Sequence, residues 1–404
     1  MIVRPAEPHE YAQIHDLLKQ AFRHSELEST MIRVSTEQDP NFRKEDLRVV
    51  EAAGRIVSMM LIIRRPLRIG TAIVNGAIVG PVATHPDHRN RGYCSAVMRD
   101  AVQYMKAQGF AMAILWGISW LYPHYGYSPA MAKTEIVLKP DQGSSVARGE
   151  YKFRPFDETD LQQMTHIYHN NTSTKTCSEV RSPEMWEWKP GGSKVRLDVL
   201  SDRRKGVMGY VVTGTDWGRP CAHEIGVLNE EACGAILSYL LGMMRQMGLK
   251  EFYCLAHPDQ GFSRFAFWHG GEMRIQSGGG AGMAQVLNLA SLLTGMVKEF
   301  ERRLRCSEFH RSQNTLGISS DGESASLEIS RGRVSIATGK YDTRFQLAIP
   351  LADLNPLITG YKSIQELAKN TGVKVRGGKK ALRLTEVLFP TGFPSGGFLP
   401  TTWE

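Results

Sequence analysis

The stretch Val82-Ala83-Thr84-His85-Pro86-Asp87-His88-Arg89-Asn90-Arg91-Gly92-Tyr93-Cys94-Ser95 joins an apolar strand to an amphipathic helix through a short basic turn. Upstream, Ile73 to Val82 is almost wholly apolar and reads as a buried strand. Downstream, apolar residues recur at Ala96, Val97, Ala101, Val102 and Met105, and Gly109 stops the helix. The first N–H groups of a helix lack intrahelical partners and its dipole is positive there. A turn of this kind can therefore hold a pyrophosphate by backbone alone, with Arg89 and Arg91 supplying charge. A solvated basic turn before an ordinary helix has the same local composition, so the surrounding elements must decide.

Working outward, the chain opens with Ile2-Val3-Arg4-Pro5 and a helix carrying Tyr11, Ile14, Leu17, Leu18, Ala21 and Phe22. Two strands follow, Leu47 to Ala52 and Arg55 to Arg64, joined through Ala53-Gly54. The spacing Arg89-x-x-Gly92-x-Cys94 resembles the Arg/Gln-x-x-Gly-x-Gly/Ala signature of the GCN5-related N-acetyltransferases (GNAT), whose turn holds the pyrophosphate of acetyl-CoA. Cys94 departs from that signature, although its side chain is small enough for close backbone approach to a phosphate. The element order is the one that the acetyltransferase fold requires.

The bulk properties agree with a multi-domain enzyme. The 404 residues correspond to two or three units, at roughly 150 residues per domain. No apolar run approaches the ~20 residues of a membrane span, and the amino terminus enters a strand directly, without the pattern of a signal peptide. The six cysteines, Cys94, Cys177, Cys221, Cys233, Cys254 and Cys306, show neither a Cys-x-x-Cys pair nor metal-ligand spacing, which fits reduced thiols in the cytoplasm. The net charge of +8 is dispersed apart from short clusters such as Lys379-Lys380 and Arg302-Arg303. These read as solvated faces, with no nucleic-acid or membrane partner. His85 and His88 lack a third ligand nearby and read as a pair flanking the turn, so no metal is expected.

The opening recurs. Tyr151-Lys152-Phe153-Arg154-Pro155 echoes Ile2-Val3-Arg4-Pro5 at an offset of 150 residues, with Asp160-Leu161 in the place of Glu10-Tyr11, after a polar linker from Lys139 to Gly149. A second, degenerate acetyltransferase-like unit is expected. After its strand His223 to Leu228 come Asn229-Glu230-Glu231, whose carboxylates suit a helix start but repel a pyrophosphate. A third pattern begins with a predicted helix over Val286 to Leu304, whose apolar stripe is Leu289, Leu292, Leu293, Met296, Val297 and Phe300. Short alternating segments follow at Thr315–Ser319, Ala325–Ser330, Arg333–Ala337 and Arg344–Ile349, then helices at Leu351–Thr359 and Ile364–Lys369. This last part resembles the sterol-carrier-protein fold. The expected class is α+β: two tandem GNAT domains followed by a sterol-carrier-protein-like α+β domain, over residues 1–147, 148–285 and 286–404.

That order resembles the Enhanced intracellular survival (Eis) acetyltransferases over nearly the whole chain. The run Leu121-Tyr122-Pro123-His124-Tyr125-Gly126-Tyr127 is similar to the family's Ile-Tyr-Gly-Arg-Phe-Gly-Tyr, and the tail from Leu388-Phe389-Pro390 resembles its Pro- and aromatic-rich end, which returns to the active site. The resemblance implies Tyr122 as general acid and the chain-terminal α-carboxylate, here that of Glu404, as general base. It also implies that acetyl-CoA lies against Val82, Ala83 and Thr84, that Asn90, Arg91, Gly92, Tyr93, Cys94 and Ser95 surround its phosphates beside Arg89, and that Gly117 and Ile118 lie near the pantetheine end. A homo-oligomer, a hexamer in the family, is implied as well. Well-known members end in phenylalanine, so Glu404 brings a second carboxylate. Chemistry gives its own reasons for these roles. Acetyl transfer needs a base for the ammonium and an acid for the leaving thiolate, and Ala72 to Thr84 contains no Asp or Glu. The tail Phe393 to Trp403 is apolar and uncharged, unlike a solvated terminus. The expected function is acetyl-CoA-dependent N-acetyl transfer to a primary amine such as an aminoglycoside or a lysine. A non-catalytic acyl-CoA sensor or lipid carrier is the alternative.

Overall fold

The computed structural model describes residues 2–22, 27–142, 151–183, 195–202, 204, 206–216, 218–277, 282–339 and 342–394. The first part of the chain comprises β1 (Val3–Pro5), α1 (Tyr11–Ala21), α2 (Leu27–Glu37), β2 (Leu47–Ala52), β3 (Arg55–Arg64), β4 (Leu67–Ile69), β5 (Ala72–Val74), β6 (Gly76–Thr84), α3 (Tyr93–Ala107), β7 (Met112–Trp116), β8 (Ser128–Pro129) and β9 (Lys133–Leu138). The apolar run read as one strand from Ile73 to Val82 is two strands. At Asn75 the side chain donates to the Gly109 carbonyl (3.0 Å) and the backbone carbonyl accepts from Ala111 (2.7 Å). This turns β5 away to pair with β4.

The second part comprises β10 (Lys152–Pro155), α4 (Leu161–Thr172), β11 (Arg196–Asp202), β12 (Gly206–Asp216), β13 (Arg219–Val227), α5 (Glu230–Met247), β14 (Phe252–Cys254), α6 (Gly261–Trp268), β15 (Glu272–Gln276) and β16 (Gly282–Val286). The repeat seen in the sequence is a repeat of wiring. Arg4 forks onto Glu10 at 2.8 and 2.6 Å, while Glu10 also accepts from the Glu7 N–H (2.8 Å). Arg154 forks onto Asp160 at 2.7 and 2.6 Å, and Asp160 accepts from the Asp157 N–H (2.9 Å). Each circuit ties a first strand to the helix that follows it.

The two seven-stranded sheets have the orders β1-β2-β3-β6-β7-β16-β8 and β10-β11-β12-β13-β14-β9-β15. Position by position they match, with one reciprocal exchange. β9, from within residues 1–147, enters the second sheet between β14 and β15, and β16 crosses back into the first between β7 and β8.

The remainder is a third α+β unit. It comprises α7 (Leu289–Gly295), α8 (Val297–Arg305), β17 (Gln313–Ser320), β18 (Glu323–Ser330), β19 (Arg333–Thr338), β20 (Phe345–Ala348), α9 (Leu351–Thr359), α10 (Ile364–Leu367), β21 (Lys374–Arg376) and α11 (Gly378–Leu388). The helix predicted from Val286 starts later, because Val286 ends β16 and Asn288 caps α7 by accepting from the Ser291 N–H (2.8 Å). It is also interrupted at Met296, after Gly295. The expected apolar stripe is buried except for the half-buried Val297, and with Ile14, Leu61, Met112, Leu316 and Leu384 it forms one core shared by the first and third units. Arg303, read from sequence as part of a solvated face, is instead largely buried. It pairs with Glu299 at 2.7 Å and donates to the Leu388 carbonyl (2.5 Å). Only Arg302 of that pair is half exposed.

Candidate functional site

The strand β6 pairs with β7 only through Gly76, Ala77 and Ile78, although β6 runs on to Thr84. Beyond Ile78 the two strands part. The Ala83 backbone is engaged with β3: His85 N–H bonds the Val57 carbonyl (2.9 Å), and antiparallel pairs alternate, so Ala83 faces Met59 as a bonded pair. Val82 and Thr84 then turn their N–H and C=O groups toward the gap, an open strand edge on which an extended amide-bearing chain can pair. The sequence expectation placed Ala83 with them; its carbonyl accepts from the Ser58 hydroxyl at 3.0 Å.

The turn beyond β6 is short. Gly92, with φ +81°, takes the left-handed conformation that precedes α3 and favours glycine. Arg89, Asn90, Arg91 and Gly92 are exposed, and Tyr93, Cys94 and Ser95 are half-buried in the first turn of α3. Burial pushes the Cys94 thiol up, partly offset by its bond to Thr84, so it packs as a neutral side chain. The His85 and His88 rings meet edge-on at 5.4 Å, and His85 Nδ1 accepts from the Asp87 N–H (3.2 Å), which makes them structural flanks of the turn.

Tyr122 begins a 3-10 turn, Tyr122–Tyr125, that follows the exposed residue Ile118. It is 8% exposed, and its phenol makes no hydrogen bond among the described residues. Its ring lies against the backbone of Gly117, where a Cβ would fall 2.8 Å from Tyr122 Cε2, and meets the Tyr127 ring edge-on at 6.3 Å. Burial above all, with Cys94 and Tyr125 close by, raises its pKa to about 12. Tyr125 hydrogen-bonds Ser95 at 2.9 Å and so ties this turn to the start of α3. The turn is also held from the third unit. The fully buried Asn355 donates to the Gly126 carbonyl and the Ser128 hydroxyl, both at 3.0 Å, and accepts from the Val286 N–H at 2.8 Å. Sequence reasoning missed Asn355, which no local motif marks.

In the second unit the corresponding edge is closed. There Leu228 N–H bonds the Met208 carbonyl (3.0 Å), so Ile225 and Val227 turn outward as Val82 and Thr84 do. The Asn171 amide donates to the Val227 carbonyl (2.8 Å) and accepts from its N–H (3.0 Å), while the Gln260 amide donates to the Ile225 carbonyl. At the 150-residue offset Asn171 corresponds to Ala21, whose methyl group can form no such pair. Counting from the matched pairs Ile78↔Ile114 and Cys221↔Tyr253, the place of Tyr122 falls to Gly261. Asn229 caps α5 by accepting from the Ala232 N–H (2.9 Å), ahead of Glu230 and Glu231. Charge, strand edge and missing phenol all argue against a second acetyl-CoA site.

After α11 the chain turns back over the first two units. Gly392 N–H bonds the Gly360 carbonyl (2.9 Å), His257 bonds the Phe393 carbonyl (2.5 Å), and Ala132 N–H bonds the Pro394 carbonyl (3.3 Å). Glu404 lies outside the described residues. Among the described residues no group of three or more His, Cys, Asp or Glu side chains could hold a metal ion, and no helix is long and apolar enough to cross a membrane.

Residues 2–130 match the acetyltransferase (GNAT) domain family. No curated protein matches the chain in sequence. Solved structures resemble it along its length. The GCN5-related N-acetyltransferase of Anabaena variabilis is 15% identical with a TM-score of 0.76, over 98% of each chain. That of Kribbella flavida is 14% identical with a TM-score of 0.75, over 98% of this chain and 97% of its own. Eis1 from Mycobacterium abscessus is 14% identical with a TM-score of 0.68, over 98% and 100%. The amino-terminal unit is thus a GNAT acetyltransferase domain, within a chain whose whole fold those three proteins share.

Proposed function

We propose that the protein transfers an acetyl group from acetyl-CoA to a primary amine, with residues 1–147 as the catalytic unit. The observation that carries this reading is the largely buried Tyr122 ring, whose hydroxyl has no hydrogen-bond partner among the described residues, beside the edge of β6 that parts from β7. In this reading the pantetheine arm pairs with Val82 and Thr84. Its pyrophosphate meets the N–H groups of Gly92 to Ser95, with Arg89 and Arg91 at the rim. Gly117 and Ile118 flank the thioester.

The chemistry follows from that placement. The acceptor amine gives its proton to a carboxylate and attacks the thioester carbonyl, and the C–S bond breaks as the tetrahedral intermediate collapses. Ala72 to Thr84 offers no carboxylate, so the α-carboxylate of Glu404 is assigned as base, in line with the return of the tail as far as Pro394. Tyr122 is the group assigned to the leaving sulfur. With its pKa at about 12 it is fully protonated at neutral pH, and a thiol near 8.5 is the stronger acid. The phenol therefore acts as a hydrogen-bond donor that stabilises the departing thiolate while keeping its own proton, and the sulfur takes a proton from solvent once the C–S bond has broken. A second carboxylate on Glu404 favours a cationic acceptor, aminoglycoside or lysine.

The test is release of free CoA thiol from acetyl-CoA against a panel of aminoglycosides, polyamines and lysine peptides. Turnover lost in Tyr122→Phe and in a chain extended by one glycine beyond Glu404 supports both assignments. Tight binding of CoA without turnover on any amine turns the reading to the sensor.

A further inference from the structure

We propose that His257, in the second unit, is a positioning residue that anchors the carboxyl-terminal tail and sets its approach to the site of the first unit. This rests on the reading of the tail as the source of the base. The two units differ in the loop between β14 and α6. In the first unit the equivalent loop leads from β7 to Tyr122. In the second, the loop closes the outward edge of β13 with Gln260 and presents His257 to the returning chain.

The hydrogen bonds fix the imidazole. Asp259 N–H donates to His257 Nδ1 at 3.0 Å, so that nitrogen carries a lone pair and the proton sits on Nε2. Nε2–H then donates to the Phe393 carbonyl at 2.5 Å. Burial, with Lys175 adding to it, lowers the His257 pKa to about 4, which keeps this neutral tautomer at physiological pH.

The next residue is held from the same place. Pro394 accepts from the Ala132 N–H, at the entry to the exchanged strand β9, and Thr134 on β9 donates to the Ala256 carbonyl at 2.8 Å, beside His257. The tail is thereby pinned where β9 and β14 meet in the second sheet. The ten residues from Ser395 to Glu404 reach at most about 35 Å. The position of Phe393 and Pro394 therefore limits where the terminal carboxylate can go. A unit whose own cofactor edge is closed thus holds the element that completes its neighbour's site.

The experiment compares the full-length protein with His257→Ala and with His257→Gln, which keeps an N–H donor at similar reach. It reads hydrogen exchange over residues 389–404, kcat and KM, acetyl-CoA affinity by calorimetry, and the thermal midpoint. Loss of one anchoring bond in His257→Ala is expected to speed exchange in the tail by about tenfold and to lower kcat by a similar factor. Acetyl-CoA affinity should stay within about twofold, and His257→Gln should restore most of both losses. Unchanged tail exchange in His257→Ala overturns the anchor. Faster exchange with unchanged kcat upholds the anchor and removes the tail carboxylate as base.

Discussion

Gly117→Ala is the sharpest perturbation of the proposed site: the added methyl group meets one side chain, and the backbone at φ +157° is one that alanine rarely adopts. The new Cβ would lie 2.8 Å from Tyr122 Cε2, 3.5 Å from Cζ and 3.4 Å from the phenol oxygen. Carbon atoms pack at about 3.5–4.0 Å, so the ring or the Gly117 backbone must yield by about 1 Å. The ring is the softer of the two, since β7 ends at Trp116 in the middle of the first sheet and holds the backbone from one side. A 1 Å displacement of a reacting group costs on the order of a hundredfold in rate, whereas the overpacking itself costs about 1–3 kcal/mol of stability. Steady-state kinetics should show kcat falling by about two orders of magnitude. Calorimetry should show how much of the loss is acetyl-CoA binding. The decisive form is a cycle with Tyr122→Phe. If the methyl group acts by moving the hydroxyl, Gly117→Ala costs little more once that hydroxyl is gone. Wild-type kcat in the single variant refutes the contact, and full additivity in the double variant shows that the methyl group acts through the Gly117 backbone rather than by moving the hydroxyl.

Arg89→Ala should weaken acetyl-CoA binding by about fivefold with kcat little changed, as measured by titration calorimetry; unaltered affinity removes Arg89 from the cradle. Asn355→Ala deletes three buried hydrogen bonds and leaves the Val286 N–H and Gly126 carbonyl unpaired. It should cost about 3 kcal/mol, read as a lowered denaturation midpoint. Acid should destabilise the protein well before its carboxylates titrate. Burial holds His223 and His257 near a pKa of about 4 rather than 6.5, so the unfolded chain binds more protons between these values. Stability then rises with pH across that window and is lost on acidification, by up to about 3 kcal/mol per histidine below pH 4. Melting curves from pH 7.5 to 4.5 should show the loss, and His223→Gln should flatten it.

Much of the architecture was legible because it is written locally. The hairpin Leu47–Ala52 with Arg55–Arg64 and the helix Leu351–Thr359 stand where patterning and turn residues placed them. The 150-residue repeat surfaced through Arg4 and Arg154, whose partners lie six residues on. The left-handed turn at Gly92 ahead of α3 was readable for the same reason, being set by neighbours in sequence. Helix α11 went unread because Gly377-Gly378-Lys379-Lys380 looks like a solvated turn, although Ala381, Leu384 and Leu388 then bury one face. Arg303 resembled its exposed neighbour Arg302, and both pair with Glu299; what sets Arg303 apart is its bond to the distant Leu388 carbonyl. The closure of the second edge by Asn171 and Gln260 joins side chains to a strand 56 and 35 residues away. Such contacts leave no periodic trace, and nothing within β9 or β16 says which sheet each will join.

The exchange of β9 and β16 bears on how the molecule comes to exist. A ribosome releasing this chain from its amino end exposes β7 with no outer neighbour until Val286 has emerged, so the first sheet waits for the synthesis of the second unit. Synthesis and cleavage both meet the same constraint. A nascent fragment ending before Gly282 keeps an unsealed β7 edge, and a nick between Leu138 and Lys152 leaves two fragments that each hold a strand of the other's sheet. If the repeat arose by duplication, the exchange also shows how two copies became inseparable: once each lends the other its last strand, neither can be lost without opening the other's sheet.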